Sequence, residues 1–418
     1  MFSRVILSMV LAAGLGLGVV SPDASAQKKV TVRIGWNPLA GATPITGTMQ
    51  QQKLFEKYAR RYGYDVEAQW QQFIAGPPAN EAMVAGRLDL DMDLASAAYI
   101  SRIKQGVPAV IIGTHASHTS NGIMVRQDGR IKSVDDLQGK TIGLLVGTSA
   151  HYTLAAIVKE HLGKTLQEAN IRLVNMSPAE AVKMPTGIDA AGIWVPYQFI
   201  GPKLGLSELL IDANGFLGKG SATPGERTAQ VKKAWGYPEG YFIDRLYLSA
   251  RKQFADEYPD LIVAFLLARW EAQDIVAADF EKGVRIANAW WKQPEDVARL
   301  AAGTYPENTN LRNAPVLLEY DALALIKTSE FFVQIGAIDK PLTWSELESV
   351  TLPGMEFQKR AWLERGSKPS VDQMRAGFKG SAPGWPLIVV NGGEPIWRYK
   401  EVPNWGKRLY VPGPFGGN

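Results

Sequence analysis

Three groups of side chains in this chain have types and spacings that could do chemistry. The first is Gly147-Thr148-Ser149-Ala150-His151, a turn between the apolar run "TIGLLV" and an amphipathic segment ending at Leu162. Three chemistries use a strand, a glycine turn and a helix. A phosphate-cradling loop needs G-x-x-x-x-G-K-[ST], and Gly143 to Ala150 lacks both the second glycine and the lysine. A nucleophile elbow needs G-x-S-x-G, with a small residue where this chain has His151, so Ser149 is poorly set for attack. What remains is a helix start, whose first N–H groups lack intrahelical partners and carry the positive end of the dipole. Such a site receives anions. Thr148 and Ser149 would add hydroxyl donors, and Ser149 is the natural N-cap. The plainer alternative is an ordinary capped helix with no ligand.

The second group is Asp89, Asp91 and Asp93 in "LDLDMDL". On a strand, side chains alternate with period two, which predicts all three carboxylates on one face. A calcium loop also begins D-x-D-x-D but needs Gly sixth and Glu twelfth, where this chain has Leu94 and Ile100. In the plainer reading, Asp91 caps a neighbouring helix and Asp93 ends the strand. In the sharper one, Asp93 faces a cleft, where it would repel a bare anion and attract an ammonium or amidinium group. A ligand of both signs would then suit Asp93 on one side and the helix start on the other.

The third group is His115 and His118 in "THASHTSNG". Two imidazoles need a third ligand to hold zinc, and a strand points positions i and i+3 in opposite directions. Polar contacts at a hinge or cleft are expected instead, with no metal and no cofactor.

The elements that must position these groups alternate between strand and helix from Val30 onward, which implies parallel strands joined by crossover helices. "VTVRIGW", "YDVEAQW", "LDLDMDL" and "PAVIIGTH" read as strands, with helices between them, the first a single helix over "GTMQQQKLFEKYARRYG". A second run of the same kind begins at Gly122, with "GIMVR", "KTIGLLV", a helix from Ala150 to Leu162, "IRLVNM", "IDAAGIW" and "ELLID". Polar or Gly-rich segments link the two runs, so two lobes with a cleft between them are expected. After Phe242 the chain reads as mostly helical, and those helices most simply complete the first lobe. The predicted divisions are residues 27–118 with 216–350 for the first lobe, 119–215 for the second, and a Gly-, Pro- and Trp-rich extension over 351–418.

Residues 1–26 carry the marks of a secretory signal peptide: Arg4, the apolar run Val5 to Val20, and Ala24-Ser25-Ala26 at the cleavage point. The chain of 418 residues has no cysteine, which excludes a lipid-anchored export signal, a disulfide framework and a thiol nucleophile. The net charge of +4 is unchanged by loss of Arg4 and Asp23, and no basic run tracks a phosphate backbone, so no nucleic-acid partner is expected.

The stretch "SVDDLQGKTIGLLVGTSAHYTL" followed by "IDAAGIWVPY" resembles the periplasmic solute-binding proteins of ABC transporters for aliphatic sulfonates, taurine and nitrate, a family that includes relatives resembling thiamine-precursor synthases. "IGWNP", "EAMVAGRLDL" and "YPDLIVAFLLARWEAQDIV" support the resemblance, which covers about Val30 to Ile338. It implies an α/β fold of the two-lobe periplasmic binding protein kind, type II-like, each lobe a mixed, mainly parallel sheet flanked by helices, joined by two hinge strands. It also implies ligand-binding positions at Asn37, Pro38 and Leu39, at Ala95 and Ser96, at Thr148, Ser149, Ala150 and His151, and at Trp194. Trp194 could wall an apolar ligand body or simply seal the sheet. The implied function is capture of a small anionic or zwitterionic solute by a monomer that docks to an ABC permease of the inner membrane. A sensing protein that docks to a receptor, or a binder of nitrate or a small carboxylate, would use the same fold. The thiamine-precursor branch needs a cysteine motif that this chain lacks, which closes that route; a serine or carboxylate hydrolase is the remaining enzymatic alternative, but Ser149 lacks the elbow and only four histidines are available as partners, so a binding protein without catalysis is expected.

Overall fold

The computed structural model describes residues 27–116, 121–127, 129–213, 244–302, 317, 319–365, 390–391 and 394–395. The expectations for the signal peptide, for His118 and for most of the extension lie outside the described residues.

Alternating Val30, Val32 and Ile34 make Lys28–Trp36 (β1) a strand with one face committed to a core, and it pairs in parallel with Tyr64–Gln72 (β2) and Leu90–Ala95 (β3). Leu246–Arg251 (β10) runs antiparallel between β3 and Ala109–Ala116 (β4), giving the order β2-β1-β3-β10-β4. The second sheet repeats this plan. Thr141–Leu144 (β6) lies parallel to Arg172–Asn175 (β7) and Ala190–Trp194 (β8). Asn121–Arg126 (β5) runs antiparallel between β8 and Ser207–Asp212 (β9), giving β7-β6-β8-β5-β9. In each sheet the antiparallel strand is the one that enters from the other lobe, so the chain crosses twice, after β4 and after β9.

Thr43–Gln51 (α1), Leu54–Ala59 (α2) and Pro259–Ala278 (α9) cover one face of the first sheet. The α9 helix is apolar on nearly all sides because it is buried there, and no helix among the described residues is long and apolar enough to cross a membrane. The single helix expected over 47–63 is broken: Lys53 takes a left-handed φ of 48°, and this bend sets Phe55 edge-on against Phe265 at 5.4 Å. Gly76–Val84 (α3) and Ser96–Lys104 (α4) cover the opposite face. In the second lobe, Ser149–Leu162 (α5) covers one face, and Pro178–Ala181 (α6) and Tyr197–Lys203 (α7) cover the other.

The helices after β10 reach both lobes instead of completing only the first. Lys252–Glu257 (α8) and α9 pack on the first sheet, but Phe280–Trp291 (α10) and Glu295–Ala302 (α11) share a core with α7 and β8. Glu319–Gln334 (α12) lies between α4 and α5, and its Phe332 stacks on Tyr152 of α5 with ring centroids 4.1 Å apart. Trp344–Arg365 (α13) then runs straight through the boundary expected at 350. Its Gly354 explains how closely it lies on β4: a Cβ there would come within 1.6 Å of the Ile111 carbonyl oxygen.

Candidate functional site

The turn after β6 is closed from within. Gly147 takes φ 80°, a conformation glycine adopts without strain, and Thr148 follows in extended conformation as the residue that precedes α5. The N-cap is therefore Thr148 and not Ser149. Its hydroxyl turns back to donate to the Leu145 carbonyl at 2.6 Å, so no side chain caps the helix and its first N–H groups stay open. His151 braces the same turn, its Nδ1 accepting the Gly147 N–H at 3.3 Å. Burial holds this imidazole below its ordinary pKa, so it is neutral and carries its hydrogen on Nε2. Of the expected hydroxyl donors, Thr148 has its hydrogen committed. Ser149 is only 6% exposed, yet its Oγ has no hydrogen-bond partner on the protein.

That hydroxyl borders a cavity between the lobes, whose space of about 780 Å³ is partly open to solvent. Of the positions expected to bind ligand, Asn37, Asp93, Ala95, Thr148, Ser149 and Trp194 line it. Pro38, Leu39, Ser96, Ala150 and His151 do not; the Pro38 carbonyl accepts the Thr43 hydroxyl at 3.0 Å. Leu39 presents its carbonyl to Trp194. Ser96 is buried, donating its N–H to Asp244 at 3.1 Å and accepting the Arg245 N–H on Oγ at 2.9 Å, so it fastens α4 to the second crossing. Ala150 is buried in the first turn of α5, and His151 points into the turn.

The three aspartates do not share a face. Leu94 and Asp91 of β3 sit three residues apart but pair with Tyr247 and Ser249 of β10, which are two apart, so β3 carries one extra residue. Such a bulge reverses the alternation. Asp89 pairs with Arg33 and Arg251 at 2.8 and 2.7 Å, and Asp91 with Arg102 of α4 at 3.0 Å. Asp93 turns the other way, its Oδ2 accepting the Asn37 N–H at 2.9 Å. Its Oδ1 has no hydrogen-bond partner on the protein, and His115 Nε2 lies 3.8 Å from it. His115 is buried and neutral, held well below its ordinary pKa first by burial and then by Arg269. Arg269 Nε donates to its Nδ1 at 3.2 Å, so the ring hydrogen is on Nε2, 3.0 Å from Thr46 Oγ1. Both ring nitrogens are thus engaged, as expected for polar contacts near the crossing.

Three aromatic and aliphatic walls were not foreseen: Trp36, Phe73 and Ile74. Trp36 stands at the end of β1, held edge-on by Trp290 at 4.9 Å, and its place in "IGWNP" could have flagged it. Phe73 follows β2 in a stretch with no pattern to mark it. Asn121 and Asp244 also line the cavity, at the two lobe crossings, with Asn121 Nδ2 donating to Asp244 at 3.4 Å. Their separation of 123 residues hides that pairing from any local reading.

Among the described residues, a hydrogen bond spans the cleft directly from Trp194 Nε1 to the Leu39 carbonyl at 3.1 Å. Trp194→Phe keeps an aromatic wall and removes this donor. A net loss of about 1 kcal/mol is expected, roughly fivefold in the ratio of closed to open lobes. Small-angle X-ray scattering should show a larger radius of gyration; an unchanged profile would mean this bond does not hold the lobes together.

Two sheets of one plan, a double crossing and a cavity between the lobes define the two-lobed fold of the periplasmic binding proteins. The family model described as NMT1/THI5 like matches residues 79–281 of the chain. Among its relatives is the taurine-binding periplasmic protein of Escherichia coli (strain K12), 26% identical over 246 residues, a match that takes in 58% of this chain and 65% of that protein. Solved structures with this fold include the periplasmic aliphatic sulphonate binding protein SsuA from Escherichia coli, with TM-score 0.56 and 20% identity over 76% of this chain and 91% of that one. The alkanesulfonate-binding protein SsuA from Xanthomonas axonopodis pv. citri, solved bound to MOPS, gives TM-score 0.60 and 20% identity over 78% and 99%.

Proposed function

We propose that this protein is the substrate-binding component of an ABC uptake transporter. It is exported to the periplasm, where the lobes close as a monomer on a small anionic or zwitterionic organic solute of the sulfonate or taurine type. The observation that carries this is the open first turn of α5 on the cavity wall, with the buried Ser149 hydroxyl unmatched beside it. Main-chain N–H groups at a helix start receive an oxyanion without a formal positive charge. The names of the relatives support the sulfonate class, and closure on a ligand gives a membrane permease a distinct shape to dock.

Binding without catalysis fits the same geometry. Ser149 Oγ has no base against it, because the Nδ1 of the nearby His151 is engaged by the Gly147 N–H. A thermal-shift series with taurine, short alkanesulfonates, nitrate and small carboxylates tests the reading. A ligand that binds only the native fold should raise the melting temperature with concentration, by the equivalent of about 2.7 kcal/mol at a hundredfold excess over Kd. No rise with any sulfonate would overturn it.

A further inference from the structure

The described wall of the cavity is short of positive charge. Among the described residues that line it there is no Lys, Arg or His, while Asp91, Asp93 and Asp244 all reach its wall. Asp91 is matched by Arg102, and Asp244 accepts from Ser96 and Asn121. Asp93 is different. Its side chain is 3% exposed, one oxygen is satisfied by the Asn37 N–H, and the other has no hydrogen-bond partner on the protein. Among the described residues, the imidazole near it is that of His115, which is neutral and gives its hydrogen to Thr46. A buried carboxyl oxygen left open beside a ligand cavity is a place for a donor, and the strongest small donor is a protonated nitrogen.

We propose that Asp93 makes the cleft selective for solutes carrying a protonated nitrogen. In this arrangement an amino-sulfonate places its ammonium on Asp93 Oδ1 and its oxygens on Ser149 and the first turn of α5. The inference rests on the sulfonate-type reading above and goes beyond it by assigning the discriminating residue. Ser149 and Asp93 belong to different lobes, so a ligand of both charges bridges the cleft and rewards closure, whereas a plain alkanesulfonate meets only one of them. Trp36, Phe73 and Trp194 wall the space and suit the methylene body between the charged ends.

The test is calorimetric titration of the full chain with matched pairs: taurine against ethanesulfonate, and 3-aminopropanesulfonate against propanesulfonate. The amino member of each pair should bind at least about tenfold tighter, the scale of one charge-assisted hydrogen bond. Asp93→Asn should erase that advantage while leaving the plain sulfonates bound at least as well as in the parent; its melting curve verifies that it folds. Equal affinity within each pair, or a preference that survives in Asp93→Asn, overturns the proposal and leaves the sulfonate reading standing. Propylamine binding with no sulfonate binding would overturn the sulfonate reading and uphold the role of Asp93. Silence from every probe overturns both.

Discussion

Arg102→Met is expected to remove about 3–5 kcal/mol of folding stability. The side chains of Arg102 and Asp91 are 1% and 4% exposed, so neither charge has water to fall back on. The guanidinium also donates to Asn80 Oδ1 and to Ser249 Oγ, both at 2.7 Å, tying α3, α4, β3 and β10 together beneath the cavity. Burial raises the Asp91 carboxyl above its ordinary value, and Arg102 is what chiefly opposes that. Methionine fills much of the same volume but supplies no charge, so Asp91 must either stay ionised without a partner or take a proton. The second escape opens at low pH. The loss should therefore be largest near neutrality and above, and smaller near about pH 5. Adding Asp91→Asn should restore part of the loss by removing the stranded charge. Urea unfolding of the parent, both single variants and the double variant measures this as a cycle. Additive losses would mean that the pair is not the unit that matters.

The same residues show what the sequence made legible and what it hid. The strands announced themselves because their alternation meets cores on known faces, and β1, β2, β4 and β9 fall within a few residues of the expected runs. The two-lobe plan followed from counting two such runs. Local periodicity failed wherever a tertiary contact decided the geometry. Nothing in "LDLDMDL" reveals the bulge, because its cause is the register against β10, more than 150 residues downstream. Ser149 is a better N-cap by residue type than by its place in the turn, where the hydroxyl of Thr148 closes on Leu145 first. Helices α10 and α11 carry no mark in sequence of which lobe they cover; their apolar faces fit α7 only because the chain returns there. At the site, the turn of α5, Asn37, Asp93 and Trp194 were readable from residue type and resemblance. The clasp between Trp194 and a main-chain carbonyl was not, since a carbonyl belongs to every residue.

Ligand affinity should depend on pH in opposite senses for the two ligand classes. Asp93 is pushed up to about 8, first by burial, with the Asn37 N–H pulling it down and Asp91 pushing it further up. The groups around it do not share its titration window. His115 from β4 is neutral well below it, Arg269 stands behind His115, and Arg102 stands behind Asp91. In the free protein, then, Asp93 holds a proton across most of the neutral range. An ammonium needs the carboxylate, so binding an amino-sulfonate must expel that proton. Its affinity should rise about tenfold per pH unit between about pH 6 and pH 8, and level off above. A plain alkanesulfonate prefers the neutral acid, so its affinity should hold through that range and fall above about pH 8. Stability gives the sign independently. The folded-state pKa lies above the unfolded value, so Asp93's contribution is fully present below the unfolded pKa and is lost as pH rises through the folded one, by about 1.4 kcal/mol per unit between the two. In Asp93→Asn both the affinity slope and this share of the loss with rising pH should vanish. Titrations in two buffers of different ionisation enthalpy would count the proton, with close to one released on amino-sulfonate binding near about pH 6.5 and none in the variant. A flat affinity profile with no proton released would mean that the ammonium does not meet Asp93.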